Sequence, residues 1–115
     1  MEKWMRSKML GKVVKVIVDR PLGTYHPKCK DLFYSVNYGY VEGIIAADGE
    51  EQDAYILGVN EPIKEFTGKV IAVIHRFDDV EEKWVVVPNG ISLTKEEIMR
   101  QVDFQERFFE IEIKM

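Results

Sequence analysis

Asn37-Tyr38-Gly39-Tyr40-Val41-Glu42-Gly43-Ile44-Ile45-Ala46-Ala47-Asp48-Gly49-Glu50-Glu51-Gln52-Asp53 reads as strand, turn, strand. On an extended backbone successive side chains alternate faces, so Asp48 and Glu50 point the same way. Gly49 permits a bend that returns Asp53 towards them. Three carboxylates converging on one point repel one another unless a cation lies between them. Hard oxygen ligands of this kind suit Mg²⁺ or Mn²⁺. A plainer reading stands beside this one. Asp-Gly between apolar runs is a common hairpin turn, and Glu-Glu-Gln-Asp is then its solvated tip. The spacing is not that of an EF-hand, because no glycine holds the sixth loop position.

Outward from this segment, apolar and β-branched runs at 11–18, 32–34, 38–46, 54–59, 69–77 and 83–87 are predicted strands. Pro21 ends the first. Asn60-Glu61-Pro62 and Thr67-Gly68 read as breaks, and Asp78-Asp79 as an acidic turn. One helix follows. Thr94 is its N-cap, Glu97 completes a capping box, and Leu93 with Ile98 forms a hydrophobic staple. Ile98, Met99, Val102 and Phe109 give it an apolar stripe that can cover an open barrel end. Residues 109–114 alternate apolar and charged, and read equally as strand or helix. Five or six short strands before one capped helix place the chain in the mainly β class (α+β), as a small, partly open β-barrel.

With 115 residues the chain is one domain, 1–115, with residues 1–8 expected to be a loosely ordered extension. It is 46% hydrophobic and 31% charged, which suits a globular protein and excludes a disordered one. A net charge of -4 argues against nucleic acid as partner. Cys29 is the single cysteine, so no internal disulfide forms and a reducing cytoplasm is the expected location. No apolar run suggests a signal peptide or membrane span. His26 and His75 are too few and too distant for a zinc motif. Both read as structural or surface residues.

Asn37-Tyr38-Gly39-Tyr40 followed by Asp48-Gly49-Glu50 and Asp53 resembles the signature of the soluble, Mg²⁺-dependent inorganic pyrophosphatases, N-Y-G-[FY] and then D-G-D-P-x-D. Downstream, Asp78-Asp79, Glu81, Lys83 and Val85-Val86-Val87-Pro88 are similar to that family's D-E…D-x-K…V-x-V-P. The resemblance implies an OB-like barrel and a homo-oligomer. It also implies hydrolysis of inorganic pyrophosphate, or a related phosphoanhydride, with Mg²⁺ as cofactor and Mn²⁺ as substitute. By the same match, Asp48, Asp53, Asp78 and Glu81 are metal ligands and Glu50 is the general base. Lys83, Tyr38, Tyr34 and Arg20 bind phosphate oxygens. Metal ions held by such carboxylates neutralise attacking and leaving oxygens and acidify a bound water. Cationic and hydroxyl groups hold the substrate in line.

The sequence departs from the family in several places. Glu81 and Glu50 stand where the family has aspartates. In a second alignment Asp19, rather than Arg20, faces a family ligand, and Lys28 and Lys30 are substitute cations. Phe104-Gln105-Glu106-Arg107-Phe108-Phe109 is similar to the family's closing F-F-E-H-Y-K, with Phe108 and Phe109 in place of its phosphate-binding Tyr-Lys pair. Two alternatives therefore stand. One is a catalytically weak relative that binds metal and a phosphate ligand. The other is an OB-type oligonucleotide binder using strand aromatics for base stacking.

Overall fold

The computed structural model describes residues 9–77 and 81–115. Its elements are β1 (Val13–Arg20), β2 (Asn37–Ile45), β3 (Glu51–Ile56), β4 (Glu65–Arg76), β5 (Glu82–Val87), α1 (Lys95–Glu106) and β6 (Ile111–Lys114). The strand order is β1-β2-β3-β5-β4-β6, and β1 pairs back onto β4. The first five strands therefore close into a barrel. Only β3 and β5 run parallel; the other pairs are antiparallel. This is a small OB-like barrel. Closure leaves those five strands no open edge, and β6 lengthens the wall beside β4. Among the described residues no helix is long and apolar enough to cross a membrane.

Two apolar clusters lie on opposite faces of the same wall. Val16, Val41, Ala54, Ile56, Val70, Val73, Trp84 and Val86 fill the barrel. Their sequence neighbours Tyr38, Tyr55, Leu57, Ala72, Ile74, Val85 and Val87 point outward and pack under Ile98 and Val102 of α1. Burying each such aliphatic side chain contributes roughly 1.5–3 kcal/mol. The helix thus lies against the outer wall of the barrel, where the sequence suggested that it closes an end. β5 explains why: Trp84 and Val86 face in while Val85 and Val87 face out, so both faces are apolar and the outer one needs a cover.

Several strand boundaries differ from expectation for local reasons. Residues 32–34 form no strand; Phe33 makes only an isolated bridge to Tyr25. Thr67-Gly68 is not a break but part of β4. A Cβ at position 68 would collide with the Phe66 ring and the Val87 carbonyl, so glycine serves close approach inside the strand. A bulge between Val70 and Ala72 then shifts the phase of β4, so that Val70 and Val73 both face the interior. Thr94 caps α1 with the expected capping box, its Oγ1 accepting from the Glu97 N–H at 3.1 Å. Residues 111–114 resolve as strand, carrying Ile113 into the cluster under the helix.

Candidate functional site

The outer face of β2, β3 and β5 turns polar towards one end. Register fixes the arrangement: Arg20 pairs with Tyr38, Tyr38 with Tyr55, and Tyr40 with Asp53. Asp53 and Lys83 each precede the parallel Ala54–Trp84 pair, so their side chains are neighbours on the outward face. Lys83 Nζ donates to Asp53 Oδ2 at 2.6 Å and to Glu81 Oε1 at 3.2 Å. Its ammonium also lies 5.7 Å from the centre of the Tyr38 ring. The Lys83 side chain is 4% exposed, while that of Asp53 is 34% exposed. The pair therefore runs from the core to the rim.

A second cation continues the cluster. Arg76 NH1 donates to Glu81 Oε2 at 3.1 Å, and its Nε and NH2 clasp Glu106 at 2.9 and 2.8 Å. Phe109 stacks on the guanidinium, whose carbon lies 3.7 Å from the ring centre. Despite its burial, Arg76 is held firmly charged by its bonds to Glu106. Glu106 also accepts from the Tyr55 hydroxyl at 2.6 Å. Gln105 Nε2 donates to that same hydroxyl at 2.7 Å, and Gln105 Oε1 accepts from Tyr34 at 2.8 Å. Arg20 NH1 completes the chain, donating to the Tyr34 oxygen at 2.9 Å. Burial raises the hydroxyl pKa of Tyr34, and raises those of Tyr38 and Tyr55 well above 10.0. The carboxylates of Asp53 and Glu106 push the last two further in the same direction. All three hydroxyls remain protonated donors.

Charge is balanced across this network. Arg76 and Lys83 face Asp53, Glu81 and Glu106, while Arg20 is bonded to the neutral Tyr34 hydroxyl. The expected convergence of Asp48, Glu50 and Asp53 on a cation is not formed. Gly49, at φ 86°, closes a tight turn with its N–H on the Ala46 carbonyl. Asp48 Oδ1 caps the Glu50 N–H at 3.0 Å, and both side chains lie exposed at the turn, while Asp53 lies within β3. Of the two readings of this segment, the hairpin tip describes Asp48 and Glu50. Among the described residues no three His, Cys, Asp or Glu side chains are grouped to hold a metal ion. Asp78 lies outside the described residues.

The structure joins Arg20, Tyr34, Tyr38, Asp53, Glu81 and Lys83 in one network. It adds Tyr55, Arg76, Gln105 and Glu106, which sequence reasoning passed over. Glu106 carried a signal: with Ile98 and Val102 it continues a four-residue spacing, a carboxylate on the buried stripe of the helix. Such a group requires a buried partner. Phe109, read as part of that stripe, lies beyond the helix and supports Arg76 instead. Strand aromatics read as possible stacking platforms are occupied otherwise, since Tyr38, Tyr55 and Trp84 are buried in the two cores.

No protein-family model and no curated protein matches the chain. Solved structures do. The inorganic pyrophosphatase of Ehrlichia chaffeensis superposes with a TM-score of 0.69 at 18% identity, over 91% of this chain and 86% of that one. This chain has the pyrophosphatase fold. The inorganic pyrophosphatase of Helicobacter pylori gives 0.62 at 16% identity, covering 90% and 82% of the two chains. That of Coxiella burnetii gives 0.61 at 17% identity, covering 91% and 85%.

Proposed function

We propose that this chain is a small pyrophosphatase-type hydrolase that cleaves inorganic pyrophosphate, or a closely related phosphoanhydride, with Mg²⁺. The observation that carries the reading is Asp53 and Glu81 meeting on Lys83 beside Tyr38, on a barrel shared with inorganic pyrophosphatases. The donor set fits the ion. Mg²⁺ keeps several waters and commonly takes one or two carboxylates together with substrate phosphates. Asp53 and Glu81 supply two such groups, which suits an ion that arrives with its substrate. When bound, Mg²⁺ neutralises phosphate charge and makes a coordinated water acidic enough to attack near neutral pH. On this reading Asp48 and Glu50 stay outside the reaction, and no protein base is needed.

The remaining steps belong to the side chains. Arg20, at the rim, binds a phosphate oxygen, and Lys83 turns part of its charge from Asp53 to the incoming anion. Tyr38, buried next to Asp53, keeps its proton and donates a hydrogen bond. Arg76 and Glu106 hold Glu81 in place from below. A phosphate-release assay with pyrophosphate and Mg²⁺ tests this. Release is expected above the enzyme-free blank, abolished by EDTA, and lowered roughly a hundredfold or more in Asp53→Asn. Release no faster than the blank would overturn it.

The balance of charge favours one further reading. With Arg76 and Lys83 bonded to Asp53, Glu81 and Glu106, most of the positive charge here is already matched, and Arg20, held by the neutral Tyr34, is what awaits a dense anion. The chain is then a binder of metal and a phosphate ligand that turns over poorly. Calorimetric titration with pyrophosphate and Mg²⁺ separates the two, since this reading expects binding heat without phosphate.

A further inference from the structure

The network from Arg20 to Glu106 has one direction only. A guanidinium donates and never accepts. Arg20 therefore fixes the Tyr34 oxygen as its acceptor, and the Tyr34 hydrogen must go to Gln105 Oε1. That sets the amide so that its NH₂ faces Tyr55, whose own hydrogen then goes to Glu106. Glu106, clasped by Arg76, has only acceptors to offer. Each link determines the next, and two of them are successive residues in the last turn of α1.

Stability alone does not explain the far end. Arg20 is only partly buried, and water can satisfy a rim guanidinium at little cost. Tyr34 is fully buried, yet its hydroxyl is committed to that rim cation. The guanidinium carbon also lies 5.7 Å from the centre of the Tyr34 ring. A side chain that water can solvate is thus held from the core by both the oxygen and the face of one ring.

We infer that the last turn of α1 is a positioning element for the site: Gln105, through Tyr34, holds the Arg20 guanidinium where an incoming phosphate oxygen meets it. The inference rests on the proposed phosphate chemistry. Tyr34 then acts through Arg20 and does not touch substrate. Fixing one long cation in advance removes ordering cost from binding. Losing that order weakens ground state and transition state alike, so KM rises while kcat holds.

The test uses Gln105→Ala, Tyr34→Phe and their double variant in the full-length chain. Each single substitution is expected to raise the KM for pyrophosphate about five- to tenfold, with kcat within twofold. The double variant should be no worse than the worse single one, because both cut the same link. Unchanged KM, or effects that multiply, would overturn the inference while leaving the hydrolase reading intact. If the wild-type chain turns over poorly, the Kd for pyrophosphate with Mg²⁺ replaces KM. A second readout needs no ligand. The Arg20 Nε–H resonance in nitrogen-15 spectra should be resolved in the wild type and broadened or shifted to the free-arginine position in both variants. An Arg20 resonance unmoved by Gln105→Ala would sink the inference even if the chain proves to bind no phosphate at all.

Discussion

Glu106 shows what a single side chain decides here. It is 1% exposed, accepts from Arg76 twice and from Tyr55 once, and has no route to water. Removing one member of a buried ion pair strands the other, at a cost of about 3–5 kcal/mol. Arg76 keeps Glu81 as a partner, so Glu106→Ala is expected near the lower end, about 3 kcal/mol. Urea unfolding at neutral pH measures it. Replacing both members with Arg76→Met and Glu106→Leu should recover most of that loss, and a loss below about 1 kcal/mol for the single variant would show the pair to be dispensable. The pair was legible only in part. Lys83, Asp53 and Glu81 stand out through a sequence motif, whereas the partner of a buried carboxylate thirty residues away follows only from how the helix packs on the sheet. Spacing and motif reveal Asp53, Glu81 and Lys83, but not Arg76, the further cation that the fold brings to Glu81 and Glu106.

Element by element, the barrel was readable where period and chemistry agree. The capped helix and the β5 segment come out as expected, since capping boxes and continuous β-branched runs are local signals. Tertiary closure decided the rest. Gly68 looks like punctuation in one dimension and is a contact in three. Gly39 is the stronger case. It pairs with Val18 across β1 and β2, and a Cβ there would overlap the Ile17 carbonyl. Backbone cannot yield as a flexible side chain does, so Gly39→Ala is expected to cost about 3 kcal/mol, the upper end of ordinary overpacking. Gly49→Ala makes a useful contrast. That residue has φ 86° but open space around it, so the loss should be limited to about 1–2 kcal/mol of left-handed strain. Comparing the two by thermal unfolding separates close approach from turn geometry. Equal losses would mean that the β1–β2 contact at Gly39 is looser than described.

For the molecule as a whole, the buried phenols tie the site to the stability of the fold. Tyr38 and Tyr55 join the two walls of the aromatic core at a ring separation of 4.9 Å, and Tyr34 stacks on Tyr38 at 5.6 Å. Desolvation holds all three protonated above the ordinary phenol value of 10.0. In the unfolded chain they ionise around that value. Above it the native state therefore binds more protons than the unfolded state, and stability falls as pH rises. The stabilisation is fully present below pH 10 and is lost progressively above it. Each tyrosine held fully protonated contributes a loss of about 1.4 kcal/mol per pH unit in that range. Tyr38 and Tyr55 together should remove roughly 2–3 kcal/mol between pH 10 and 11, a sizeable share of a stability of about 5–15 kcal/mol. Urea midpoints across pH 8 to 11, followed alongside tyrosinate absorbance, measure both sides of the linkage. Tyrosinate from these rings should appear only as the chain unfolds, and Tyr55→Phe should flatten the alkaline slope by about one residue's share. A flat profile to pH 11, with all the phenols ionising in a chain that stays folded, would mean that water reaches those hydroxyls. The path from Arg20 to Glu106 would then be open to solvent, and nothing could hold Arg20 in one orientation from the core.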